Sequence, residues 1–187
     1  ISTRKAIEIK PDYAEANSNL GIILRELGNL QDAEVSTRKA IKLKPDFAMA
    51  HSNLGNILKD FGKLQDAFDS YLKVIEINPK FPNIYPYITR FLKDSDPSHL
   101  NQSKLKNILN LLLEKNNVCH QELFNVFNFL YKNQIISTQE KSDSDFSKIE
   151  LLINDKVIIN ALKKIIFCDL QLEVILTQTR RKICHRI

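Results

Sequence analysis

The chain has 187 residues with 27 basic and 22 acidic side chains, a net charge of +5, 43% hydrophobic residues, only four glycines and no tryptophan. Enough apolar residue is present for a packed core, which excludes a fully disordered chain, and the scarcity of glycine excludes collagen-like and Gly-rich architectures and favours helices. The basic excess is too mild to assign a nucleic-acid or anionic-membrane partner by itself.

In chain order, the first signal is a repeat. Residues 14–47 match residues 48–81 at an offset of 34, with about half the positions identical. The shared letters are A-x-A-x-S-N-L-G-x-I-L from Ala14 and from Ala48, then Gly28/Gly62, L-Q-D-A from Leu30 and from Leu64, and Pro45/Pro79. In each first helix Leu20, Gly21 and Leu24, or Leu54, Gly55 and Leu58, form one apolar stripe. A mid-helix glycine costs about 0.5–1 kcal/mol relative to alanine. Gly21 and Gly55 therefore imply a close approach of the paired helix, expected near Ala33 and Ala67. Gly28 and Gly62 are expected to close the first helix in a left-handed cap, Gln31-Asp32 and Gln65-Asp66 to open the second, and the prolines to end it.

This pattern resembles the tetratricopeptide repeat (TPR) family, which implies two antiparallel helices per unit stacked into an all-α solenoid. A partial copy at residues 1–13 precedes the two full units, since residues 3–11 align with 37–45; residues 82–93 keep the hydrophobic spacing without the Gly and Ala signature, as a degenerate or capping repeat. Entering the pattern inside a second helix, the chain is expected to come from a longer protein with further repeats upstream. The TPR region thus spans residues 1–92.

Asp94 to Ser98 is turn chemistry, and a C-terminal helical region follows over residues 94–187. Ser103 is expected to cap a helix running to about Lys115, residues 121–132 to form a helix apolar on several faces, residues 137–147 to be a polar loop, Ser147 to cap a short helix over 148–153, residues 155–167 to carry Ile158, Ala161, Leu162, Ile165 and Ile166 on one stripe, and Asp169 to cap a last helix over 170–183. Glu173, Leu176 and Arg180 in that last segment resemble the helical connector that joins TPR arrays to a methyltransferase domain in some bacterial proteins.

The SNLG context resembles the array of O-linked N-acetylglucosamine transferases, in which a ladder of asparagines bonds the backbone of an extended peptide. The resemblance implies a peptide-binding groove of Ser18, Asn19 and Arg25 from one unit and Ser52, Asn53, Asn56 and Lys59 from the next, with the two cations selecting acidic character. Against it stands the simpler role of these asparagines as bonds between neighbouring repeats. The carboxylate clamp of chaperone-binding TPR domains is excluded, because its slots hold Ser18, Ile22, Asn53, Asn83 and Tyr87 and only one matches.

Cys119-His120 and Cys184-His185, with Cys168, lack the spacing of a zinc site, since neighbours on a helix point about 100° apart. His51, His99, His120 and His185 are scattered, and His51 fills a packing slot. No catalytic residue, metal or cofactor is expected. The basic cluster Arg180-Arg181-Lys182 with Arg186 complements a helix end and is not read as a nucleic-acid site.

The expected function is a protein- or peptide-binding scaffold and not an enzyme; the alternative is the substrate-recruiting arm of a larger methyl- or glycosyltransferase. Three irregular cysteines and no long apolar run point to a cytoplasmic protein without a membrane span. The Lys-, Asn- and Ile-rich composition suggests a bacterial source, and the C-terminal helices offer a possible homodimer interface.

Overall fold

The computed structural model describes residues 12–137 and 155–165, together with the single residue 177. The described residues are helical and contain no strand, as the repeat pattern requires. The chain divides into two compact units, Ile1–Ile84 and Tyr85–Ile187.

In the first unit, α1 (Ala14–Glu26) and α2 (Leu30–Leu43) form one hairpin, and α3 (Ala48–Asp60) and α4 (Leu64–Ile77) the next. Both hairpins turn by the same device. Gly28 and Gly62 adopt φ of +78° and +75°. The amides of Gly28 and Asn29 then reach the carbonyls of Arg25 and Leu24, and those of Gly62 and Lys63 reach Lys59 and Leu58. This is the double-bonded left-handed helix end that spares the last carbonyls from burial without a donor. Space is not the reason for glycine here, since nothing lies within 4 Å of where a Cβ would stand; the positive φ is. The second helices begin at Leu30 and Leu64, one residue before the expected Gln-Asp pair; Asn29 caps α2 by accepting from the Asp32 amide, whereas Lys63 ahead of α4 makes no side-chain cap.

Helix contact within each hairpin depends on small residues. Ala33, Ala40, Ala50 and Ala67 are fully buried. At Gly21 a Cβ would land on Thr37 Oγ1 and lie 3.2 Å from the Ala33 carbonyl oxygen, so the expected neighbour is found. At Gly55 the nearest atoms belong to Tyr71, one turn beyond Ala67: a Cβ would stand 2.5 Å from Tyr71 Cε1 and 2.8 Å from Cδ1. Thr37 and Tyr71 occupy one slot of the repeat, and the larger ring takes the space the glycine leaves. The Tyr71 hydroxyl donates to Asn56 Oδ1 at 2.8 Å. In the first repeat the Asn56 slot is Ile22, which has no acceptor, and Thr37 Oγ1 is buried without a partner among the described residues.

On α2, Glu34 is bound by Arg38 at 2.8 Å and by Lys63, ahead of α4, at 3.0 Å. Burial pushes its carboxyl up, but hydrogen bonds from Arg38 and Lys63 and their charges outweigh this and hold it below its ordinary value.

At the end of the first unit, Asn83 at φ +58° precedes α5 (Ile84–Asp94), whose Ile88, Phe91 and Leu92, within the second unit, are buried. A single 3-10 turn (Pro97–His99) leads to α6 (Gln102–Glu114). Its cap is Asn101, which accepts from the Lys104 amide at 3.0 Å, and not Ser103 as the sequence suggests. Asparagine two residues earlier offers an equally good acceptor, and Ser103 falls inside the helix. The expected helix at 121–132 begins as a 3-10 turn (His120–Leu123) and continues as α7 (Phe124–Ser137). Phe127 and Tyr131 stack at 5.1 Å inside it, and burial with the nearby Asp155 charge pushes the Tyr131 phenol up to about 12. Helix α8 (Lys156–Lys164) is capped by Asp155, buries Ile158 and Ala161 with Ile165 just beyond its end, and packs on α6, where Lys164 Nζ donates to the Leu113 carbonyl at 2.6 Å. The partial repeat up to Pro11, the polar loop beyond Ser137, the helix over 148–153 and the last helix with its connector-like residues lie outside the described residues.

Two outcomes follow from this packing. Gly55→Ala is expected to destabilise the protein by about 1–3 kcal/mol through overpacking against the Tyr71 ring, and the loss should shrink when Tyr71→Leu is added; thermal unfolding of the two variants checks it. Glu34 has a lowered folded pKa, so its stabilising effect is present above its ordinary value of 4.5 and is lost as pH falls through the folded value. Glu34→Gln is expected to lower stability at neutral pH and to flatten its decline in acid, measured by denaturant unfolding across pH.

Candidate functional site

The residues expected to face a peptide lie on α1 and α3, the first helices of successive repeats, which pack side by side. Two bonds join them. Asn53 Nδ2 donates to Ser18 Oγ at 3.0 Å, with both residues buried at 8% and 1% exposure. Arg25 Nε donates to Asp60 Oδ2 at 2.5 Å, with each side chain about a third exposed. A third tie, Lys44 to Glu15 at 3.3 Å, runs from the end of the first hairpin back to α1.

The seven expected residues therefore separate into two groups. Ser18 and Asn53 are turned inward on each other. Asn19 is exposed, while Ser52, Asn56 and Lys59 are half-buried. Asn56 holds the Tyr71 hydroxyl through its Oδ1, and its amide nitrogen is the remaining polar group of that side chain. Arg25 is matched by Asp60, so its charge is balanced where the sequence suggested a cation reading acidic residues. Glu26 at the end of α1 and Asp60 at the end of α3 are exposed.

The Ser18–Asn53 bond had a signal in the sequence. Each unit carries Ser immediately before Asn, so when first helices align in register the serine of one meets the asparagine of the next. Asp60 as the partner of Arg25 left a weaker mark, because only the charges repeat, Arg25-Glu26 in one unit and Lys59-Asp60 in the next, and not the identities.

His51 is half-buried, and its Nε2–H donates to the Pro45 carbonyl at 2.8 Å, the packing role expected of it. Cys119 is an exposed free thiol. Among the described residues no group of His, Cys, Asp or Glu is arranged to hold a metal ion, and no helix is long and apolar enough to cross a membrane.

Comparison with known proteins finds one repeat type in part of the chain. The tetratricopeptide repeat profile matches residues 48–81, and a second tetratricopeptide repeat profile matches residues 3–35. The chain carries tetratricopeptide repeats. Among solved structures it is similar to the crystal structure of YrrB, a TPR protein with an unusual peptide-binding site, at 15% identity and a TM-score of 0.55, over 95% of this chain and 98% of that one. The crystal structure of MamA is also similar, at 16% identity and a TM-score of 0.47, over 97% of this chain and 86% of that one. The first of these shows a shared TPR solenoid fold. No curated protein matches the chain.

The paired burial of Ser18 and Asn53 sets a stability test. Asn53→Ala leaves a buried hydroxyl without its donor and is expected to cost about 1–3 kcal/mol. In a double-mutant cycle with Ser18→Ala, the two losses should add to more than the loss in the double variant; additive losses would show that the bond does not couple the helices.

Proposed function

We propose that the protein is a protein-binding scaffold that holds an extended peptide along the shared face of α1 and α3. The observation that carries this reading is the placement of Asn19, Ser52, Asn56 and Lys59 on two adjacent first helices whose register is fixed from below by Ser18–Asn53. Serine and asparagine side chains offer donors and acceptors that suit a main chain regardless of its sequence. Balanced charge on this face, Arg25 with Lys59 against Glu26 with Asp60, favours backbone recognition over selection of an acidic ligand. The presence of tetratricopeptide repeats, and the peptide-binding site of YrrB, support the same role.

In this reading Ser18 and Asn53 hold the two walls together, and the neighbouring residues meet the ligand. The role is binding and not catalysis.

The test uses a peptide selected from a random display library and titrated into isotope-labelled protein. Amide shifts are expected at Asn19, Ser52, Asn56 and Lys59, and Asn19→Trp with Ser52→Trp should weaken binding by about tenfold or more without loss of helicity. Shifts confined to α5–α8, or failure to select any peptide, would overturn the proposal.

A further inference from the structure

A second surface lies on the other side of α3. Arg38, Ile41 and Lys42 of α2, His51 and Leu54 of α3, and Asp69, Ser70 and Lys73 of α4 line a cleft of about 480 Å³. At 100° per residue, His51 and Leu54 together centre roughly 140° from Ser52, Asn56 and Lys59 on the same helix. The cleft is therefore separate from the face argued above.

Its composition is specific. The floor is aliphatic, Ile41 and Leu54, and the rim carries three exposed cations, Arg38, Lys42 and Lys73. Arg38 spends one of its five donors on Glu34, and Lys73 meets Glu76 at 2.7 Å on the exposed surface, a pair that exchanges readily with solvent and with competing carboxylates. Lys42 has no hydrogen-bond or ion-pair partner among the described residues. Asp69, the carboxylate lining the cleft, accepts from Gln65 at 2.9 Å, and His51 is engaged with Pro45. The volume lies in the range of small-ligand clefts.

We propose that this cleft is a second docking site, taking an acidic segment of a partner protein in which an aliphatic side chain sits on Ile41 and Leu54 between carboxylates held by Arg38, Lys42 and Lys73. Charge complementarity selects an acidic occupant. Of the two anionic polymers, the peptide fits better: the lining holds no Phe, Tyr or Trp on which bases would stack, and its aliphatic floor of Ile41 and Leu54 suits an apolar side chain.

The probe is a fluorescein-labelled peptide of alternating aspartate and leucine, measured by anisotropy against the full chain. Saturable binding is expected. Lys42→Glu with Lys73→Glu should weaken it by about tenfold or more, while Lys42→Arg with Lys73→Arg should retain it, both variants keeping wild-type helicity. Added salt should weaken it steeply, and an asparagine–leucine peptide should not bind. Asn19→Trp with Ser52→Trp should leave it unchanged, which separates this site from the peptide face of α1 and α3. No saturable binding, equal binding by the charge-reversed variant, loss of binding in the tryptophan variant, or tighter binding of a thymidine oligonucleotide would each overturn the proposal.

Discussion

The buried bond from Asn53 to Ser18 sets the geometry on which both surfaces depend. Two polar side chains sit at 8% and 1% exposure between neighbouring repeats, away from water that could replace either partner. In such surroundings an unmade hydrogen bond is costly, so the pair tolerates little sliding or rotation of α3 against α1. Apolar packing alone, being non-directional, would leave that register softer. Arg25–Asp60 acts along the same seam and Lys44–Glu15 within the first hairpin, but their exposure makes each worth little by itself. The buried pair does the fixing, and the surface pairs follow from it.

Within a hairpin the constraint is of another kind, the space left by a missing Cβ. The two repeats use it differently. In the second, Tyr71 fills the space over Gly55 and satisfies its hydroxyl on Asn56, so packing and polarity are resolved together. In the first, Thr37 meets Gly21 and finds no acceptor among the described residues, because Ile22 stands where Asn56 stands in the copy. Position 22/56 is thus read jointly with 37/71. Asn56 belongs to this pair before it belongs to any ligand, which leaves its amide nitrogen as the group that can face outward.

Much of this was legible in the sequence. The 34-residue offset, the glycine caps with their positive φ, and the proline stops prescribed the hairpins residue by residue. The Ser-Asn dipeptide at equal spacing contained the tie between repeats. The identity of neighbours was less visible. Tyr71 over Gly55 could not be read from Ala67, because both lie on the buried side of α4 and only the actual depth of contact decides between them. Asn101 in place of Ser103 turned on which of two competent acceptors came first in the chain. The cleft was not legible at all: its residues come from three helices, at spacings that match no motif, and each alone reads as an ordinary solvated charge or a packing residue.

The distribution of charge shows why the net value of +5 was a poor guide to the partner. On the shared face of α1 and α3 the charges cancel across the seam, and the tie between Arg25 and Asp60 makes that cancellation part of the packing. On the opposite side of α3, three cations stand over an aliphatic floor with a single carboxylate among them. One helix therefore separates a neutral, hydrogen-bonding surface from a basic one. A ligand chosen by charge and a ligand held by its main chain would meet different sides of the same repeat, and a rigid α1–α3 register keeps occupancy of one from requiring rearrangement of the other. Two partners of unlike chemistry could then share the array without competing for any side chain.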